Sequence, residues 1–180
     1  MIRKIIVSWI AATSLILFST QAFALINFSA GVPLSHTFTG KYNGGDEVKS
    51  DGVSGYFIQV GIPILPGIGM DSYKTKLKDW SEPTDLETSI YNLYYLLPIP
   101  IINLTLGAGV GSTKLNCSGC DLVYDKGSAT QVYASLGFPI IPLFDLHLSY
   151  RSVSSKVKIK SGGEHDFGGN VMGLGIGFNF

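Results

Sequence analysis

The last eight residues, Gly173-Leu174-Gly175-Ile176-Gly177-Phe178-Asn179-Phe180, alternate without a break between small or polar residues and large apolar ones. A period of two is the signature of a β-strand with one apolar face. Here the apolar set, begun by Met172, contains no charge, and the opposite set of Gly173, Gly175, Gly177 and Asn179 is nearly as uncharged. Such a strand has no face suited to bulk water. The same pattern returns upstream. Leu104, Leu106, Ala108 and Val110 oppose Asn103, Thr105, Gly107 and Gly109, and Phe144, Leu146, Leu148 and Tyr150 oppose Asp145, His147, Ser149 and Arg151.

Outside these strands the charges are grouped. They fall at Lys41 to Asp51, Lys74 to Glu87, Lys114 to Lys126 and Lys156 to Asp166, leaving only Asp71, Asp145 and Arg151 elsewhere in 25–180. The quiet stretches 52–73, 88–113 and 127–155 hold 22, 26 and 29 residues. A membrane-crossing strand takes about 9–11 residues, so each stretch accommodates two strands and a tight turn. The end segments 25–40 and 167–180 each accommodate one strand, which brings the count to eight. The third strand, Gly67 to Leu77, alternates least cleanly. Each hairpin centre carries proline: Ile62-Pro63-Ile64-Leu65-Pro66, Pro98-Ile99-Pro100-Ile101-Ile102 and Phe138-Pro139-Ile140-Ile141-Pro142. Proline cannot donate to a ladder and marks strand ends and turns. Three short apolar turns at one end and four long polar loops at the other are the expectation. Tyr56, Tyr91, Tyr95, Phe138, Tyr150 and Phe178 fall where interfacial aromatic girdles belong, although aromatics are common in any strand.

Ahead of the strands, Arg3 and Lys4 precede the apolar stretch Ile5 to Ser19, and Ala22-Phe23-Ala24 has the small-x-small form of a cleavage site. Residues 1–24 read as a secretory signal peptide, the alternative being an N-terminal anchor. Cleavage leaves 25–180 as the barrel domain, with 11 Lys+Arg against 13 Asp+Glu, in an oxidising compartment. The whole chain has 180 residues, 14% charged and 22 of them glycine. Balanced charge offers no footprint for nucleic acid, and no mature segment supplies the 18 apolar residues of a helical span.

On these residues the chain resembles the small outer-membrane β-barrel proteins of the OmpA/OmpX type. The resemblance implies an all-β, eight-stranded antiparallel up-and-down transmembrane barrel, with both termini periplasmic. It also implies that Phe178 and Phe180 close an assembly signal read by the barrel-assembly machinery, with periplasmic chaperones as transient partners. Lipid and lipopolysaccharide would surround the barrel, and no cofactor or metal is implied. An eight-stranded interior is filled by side chains, so no porin-like channel is expected. A soluble lipocalin-like binder would turn the large apolar face inward and leave a Gly, Asn and Thr exterior poorly suited to water.

Three constellations could carry chemistry. Cys117-Ser118-Gly119-Cys120 is read as a local disulfide pinning an external loop, since no second pair completes a zinc site. His147-Leu148-Ser149 has the H-x-S spacing of lipid A deacylases, with Glu164 as the only downstream Glu to orient the histidine. Parity places both residues inside with Asp145 and Arg151, where a satisfied polar network is the plainer reading. Lys74, Lys76, Lys78, Lys114, Lys156, Lys158 and Lys160 all continue outward-facing apolar rows. They are candidates for contact with lipopolysaccharide phosphates, against the alternative of a solvated loop base. The expected role is non-enzymatic, structural or surface-interacting, with Asn43-Gly44-Gly45, Trp80 and the cysteine loop presented outward.

Overall fold

The computed structural model describes residues 26–42, 46–62, 65–99, 102–141 and 143–179. The expected leader at 1–24, Asn43-Gly44-Gly45, Pro63-Ile64, Pro100-Ile101, Pro142 and Phe180 lie outside the described residues. Among the described residues eight long strands form the barrel: β1 Asn27–Phe38, β2 Lys49–Gly61, β3 Gly67–Lys78, β4 Asp85–Ile99, β5 Ile102–Asn116, β6 Tyr124–Ile141, β7 Phe144–Ile159 and β8 Gly169–Asn179. Each pairs antiparallel with its neighbour in sequence, and β8 pairs with β1. The sheet is therefore closed around the circuit, with β1 and β2 joined only from Asn27 to Gly31 and from Phe57 to Gly61.

The register fixes the tilt. A path from Phe28 runs through Val60, Ile68, Leu93, Ala108, Val132, Ser152 and Asn170, and returns to β1 at Thr37 rather than Phe28. That stagger, across eight strands, corresponds to strands inclined by roughly 40° to the axis. The turn end is tight. Ile99 pairs with Ile102, and the β6–β7 turn holds Leu143 in the left-handed region at φ 81°. Pro139 lies within β6, at a register shift opposite the start of β7, and does not mark the turn itself.

At the loop end the expectation of long polar loops is corrected. The strands run on through the charge clusters, to lengths of 12 to 18 residues in β1 to β7. Two connections shrink to 79–84 and 117–123, while 39–48 and 160–168 stay longer. The period-two pattern of Lys74-Thr75-Lys76-Leu77-Lys78 and of Lys156-Val157-Lys158-Ile159 is strand, not loop. Threonine, leucine and valine turn inward there while lysine turns out.

The barrel consequently inverts its polarity along its length. On β7, Leu146, Leu148 and Tyr150 are exposed and Asp145, His147, Ser149 and Arg151 buried; higher up, Ser152, Ser154, Lys156 and Lys158 are exposed and Val153 and Val157 buried. The turn-end half of the interior holds most of the buried charged and amide groups, around Tyr94, Leu96 and Tyr133, and buried Thr75, Thr88, Thr113 and Ser155 carry polar positions on into the loop-end half. The loop-end half has two apolar cores, Phe57, Tyr73, Ile90, Ala129, Val153 and Val171, then Val48, Leu77, Leu86, Leu115, Cys120, Val157 and Phe167. An apolar exterior leaves polar groups only the interior in which to satisfy one another, and a charged exterior leaves the interior as the dry side for apolar residues. Interior glycines make room for larger neighbours, since a Cβ on Gly177 would overlap His147 and one on Gly107 the Tyr133 ring.

A bulge in β1 reverses parity at one place. Pro33 is buried, Leu34 and Ser35 are both exposed, and His36 then points inward, where its Nδ1 is 2.8 Å from Thr75 Oγ1. The ladder between β1 and β2 is the shortest in the barrel, from Asn27↔Gly61 to Gly31↔Phe57.

Candidate functional site

The outward apolar band ends on every strand at a small polar residue: Ser35, Ser54, Ser72, Ser89, Ser112, Thr130, Ser152 and Asn170. Tyr56, Tyr91 and Tyr150 are exposed at this boundary, as a girdle requires, and Phe138 is exposed towards the turn end. Tyr95 faces outward opposite Leu106, inside the band and not at its rim.

All seven lysines singled out in the sequence are exposed, as parity demands. Register decides which of them act together. Glu87 on β4 stands directly opposite Lys74 on one side and Lys114 on the other. Lys74 Nζ lies 2.6 Å from Oε1 and Lys114 Nζ 3.0 Å from Oε2, while Asn116 Nδ2 donates to Oε1 at 3.1 Å. Hydrogen bonds from Lys74 and then Lys114 hold the Glu87 carboxyl down at about 2, and the same contact raises the Lys74 ammonium. Glu87 was not identifiable in advance, because a cross-strand clamp depends on register. On the other side, Lys156 is 3.6 Å from Glu164, and Lys160 is 3.8 Å from Asp125 and donates to the Asp121 carbonyl at 2.6 Å.

Inside, the H-x-S residues do not form a triad. The Ser149 hydroxyl donates to the Gly173 carbonyl at 3.2 Å and accepts from Arg151 Nη1, so its proton is directed at backbone and not at histidine. His147 Nε2 is 4.0 Å from Asp145 Oδ2. Glu164 pairs opposite Lys158, about 36 Å of strand from His147, and faces outward. The cavity beside His147 and Ser149, lined also by Ser29, Gln59, Ser135 and Arg151, measures about 20 Å³. That is room for water but not for an acyl chain.

The polar half of the interior is instead a bonded network. Arg151 Nε donates to Asp71 Oδ2 at 2.9 Å, and its guanidinium lies 3.5 Å above the Phe57 ring centre. Gln131 Nε2 donates to Asp71 and to Asn92, and Gln59 Nε2 donates to Tyr133 at 2.6 Å. Nearer the turns, Asn103 and Asn179 both donate to Asp145 Oδ2, and Asn27 donates to Asn179 at 2.6 Å. Gln59 to Tyr133 and Arg151 to Asp71 cross the lumen, Asn27 to Asn179 and Asn179 to Asp145 join neighbouring strands, and Asp71 Oδ1, Asn92 Nδ2, Gln131 Oε1 and His147 Nε2 are left buried without a hydrogen-bond partner among the described residues.

The loop end is capped. Cys117 and Cys120 form the expected disulfide, closing a turn that leads into the short helix α1, Cys120–Val123, with Gly119 at φ 78°. Cys120 is buried in the cap core, and the loop presents Leu122 and Val123 outward. Trp80, expected to be displayed, packs against that core with its ring 6.3 Å from Phe167; its apolar area folds inward because an apolar core lies beneath it. Among the described residues no group of three or more His, Cys, Asp or Glu is placed to hold a metal ion, and no helix is long and apolar enough to cross a membrane.

No family model and no curated protein matches the chain. Solved structures do. The fold is similar to that of Neisserial surface protein A, with a TM-score of 0.60 and 14% identity over 86% of this chain and 97% of that one. Ail, the attachment invasion locus protein of Yersinia pestis, matches at a TM-score of 0.44 and 18% identity over 86% and 97%. OmpT, an outer membrane protein of Vibrio cholerae, matches at 0.32 and 15% over 88% of this chain and 52% of that one. At these identities the likeness is one of fold, and the first match carries it. The chain has the closed eight-stranded antiparallel barrel of small outer-membrane proteins.

Proposed function

We propose that this chain is an outer-membrane protein whose barrel serves as anchor and platform, with a structural or surface-interaction role and no catalytic activity. Its outward lysines hold phosphates and acidic sugars of lipopolysaccharide by point-charge contacts. One observation carries the reading. The exterior changes from apolar to a small polar residue on each strand, with Tyr56, Tyr91 and Tyr150 at the rim and charged residues above it on β2 to β7. From Tyr150 to Lys156 is about 20 Å of strand, or roughly 15 Å along the axis, which puts the ammonium groups beyond the hydrocarbon. Uncharged strands in the band and charged ones above it are what a bilayer selects.

Residues 1–24 then act as the removed export signal, both termini lie in the periplasm, and the β8 end with Phe178 and Phe180 engages the assembly machinery after chaperone-assisted transit. Outer-membrane fractionation of the native protein, followed by lipopolysaccharide co-purification, tests the proposal. Changing Lys156, Lys158 and Lys160 together to Glu should sharply reduce the lipopolysaccharide carried through purification. An unchanged yield refutes lysine contact, and soluble mature protein without detergent refutes the membrane placement.

A further inference from the structure

The outward lysines differ in how far their charge is already answered. Lys74 and Lys114 are held by Glu87, Lys156 by Glu164 and Lys160 by Asp125. Lys158 makes no ion pair among the described residues, but its cross-strand neighbours, Asp125 and Glu164, are both acids. Lys49 and Lys78 stand directly opposite each other across the β2–β3 ladder, both exposed, and Lys76 is the next outward residue on β3. None of these three makes an ion pair among the described residues. The acids around them are Glu47 and Asp51 on either side of Lys49, Asp79 after Lys78 and Asp85 directly opposite Lys76, and none comes within ion-pair distance; Lys49 and Lys78 have no acid opposite them on their ladder.

Like charges directly opposite on a ladder are destabilising. An anion between the two ammonium groups would relieve that repulsion. We infer that Lys49, Lys76 and Lys78 form an oxyanion site for a phosphate borne on a sugar of a membrane-anchored glycolipid; this rests on the lipopolysaccharide reading above and specifies its seat. Height selects the ligand. Lys78 lies eight residues beyond Met70, the last apolar outward residue of β3, which is about 26 Å of strand and roughly 20 Å along the axis. Lipid headgroups are below that level, whereas the glycan of a glycolipid rises through it. Two opposed ammoniums and a third beside them can each donate to a different terminal oxygen of one phosphate.

The test uses the full barrel in detergent micelles, with urea unfolding followed by Trp80 fluorescence. The variants are Lys49→Gln, Lys78→Gln and the two together. The probes are purified lipopolysaccharide, the same material after phosphatase treatment, and dextran sulfate. Without a probe, each variant should unfold at higher urea than the parent, because repulsion is relieved. With lipopolysaccharide the parent should shift upward, and the double variant should bind roughly 30-fold more weakly, at about one kcal/mol per lysine. Phosphatase-treated material should give no shift. A full shift in the double variant, with its loss when Lys156, Lys158 and Lys160 are made Glu, overturns this site and leaves the broader reading standing. No shift in the parent overturns both. Stabilisation by dextran sulfate alone overturns the glycolipid as ligand.

Discussion

Arg151→Ala should be among the most damaging single changes in the barrel. The Asp71 and Arg151 side chains are 0% and 3% exposed, with 2.9 Å between Arg151 Nε and Asp71 Oδ2. Removing the guanidinium leaves a buried carboxylate with Gln131 as its remaining side-chain donor. Breaking a buried pair from one side costs about 3–5 kcal/mol. The guanidinium stacked on Phe57 contributes about 2 kcal/mol where desolvated, and the two effects overlap because they share one group. The expected loss is about 4 kcal/mol, or a fall of about 2 M in the urea midpoint at a slope near 2 kcal/mol/M. Trp80 fluorescence during unfolding in lipid vesicles measures it. Replacing both partners by apolar residues of similar size, Asp71→Leu with Arg151→Met, should recover most of the loss, since no charge is then stranded. A loss under about 1 kcal/mol for Arg151→Ala, or a double variant no better than the single one, would show that water solvates Asp71 and that the network does not seal the lumen.

Further outcomes follow from the same geometry. Leu148→Lys should cost about 2–4 kcal/mol in a bilayer while Ser152→Lys, two outward positions higher, is nearly neutral; equal effects in vesicle unfolding would move the apolar boundary. Glu87 has its carboxyl held below the ordinary range to about 2, so its contribution is complete above about pH 4.5 and is lost as pH falls through about 2. Glu87→Gln should therefore be less stable than the parent by about 1 kcal/mol or less at neutral pH and match it near pH 2, as acid titration of unfolding would report. Denatured, unreduced protein should show no free thiol, and Cys117→Ser with Cys120→Ser should cost about 2 kcal/mol, the value for so short a loop. Ser149→Ala should leave the lipid A mass spectrum unchanged; a loss of deacylated species would establish the H-x-S pair as catalytic.

Most of the architecture was legible along the chain because a barrel wall is local information. Each strand declares its own two faces, so Leu104 to Val110, Phe144 to Tyr150 and Met172 to Phe178 could be assigned outward, and the strands counted, before any pairing was known. Even the extension of strands into Lys74-Thr75-Lys76-Leu77-Lys78 is present as period two, although a run of lysines is equally the composition of a loop. Relations between strands were not legible. Glu87 between Lys74 and Lys114, Lys49 facing Lys78, Arg151 reaching Asp71, Trp80 folded onto Phe167 and Glu164 remote from His147 all depend on stagger around the closed sheet. A shift of register changes every one of them while leaving each strand's alternation intact, because the pleat repeats every two residues and the circuit closes only once.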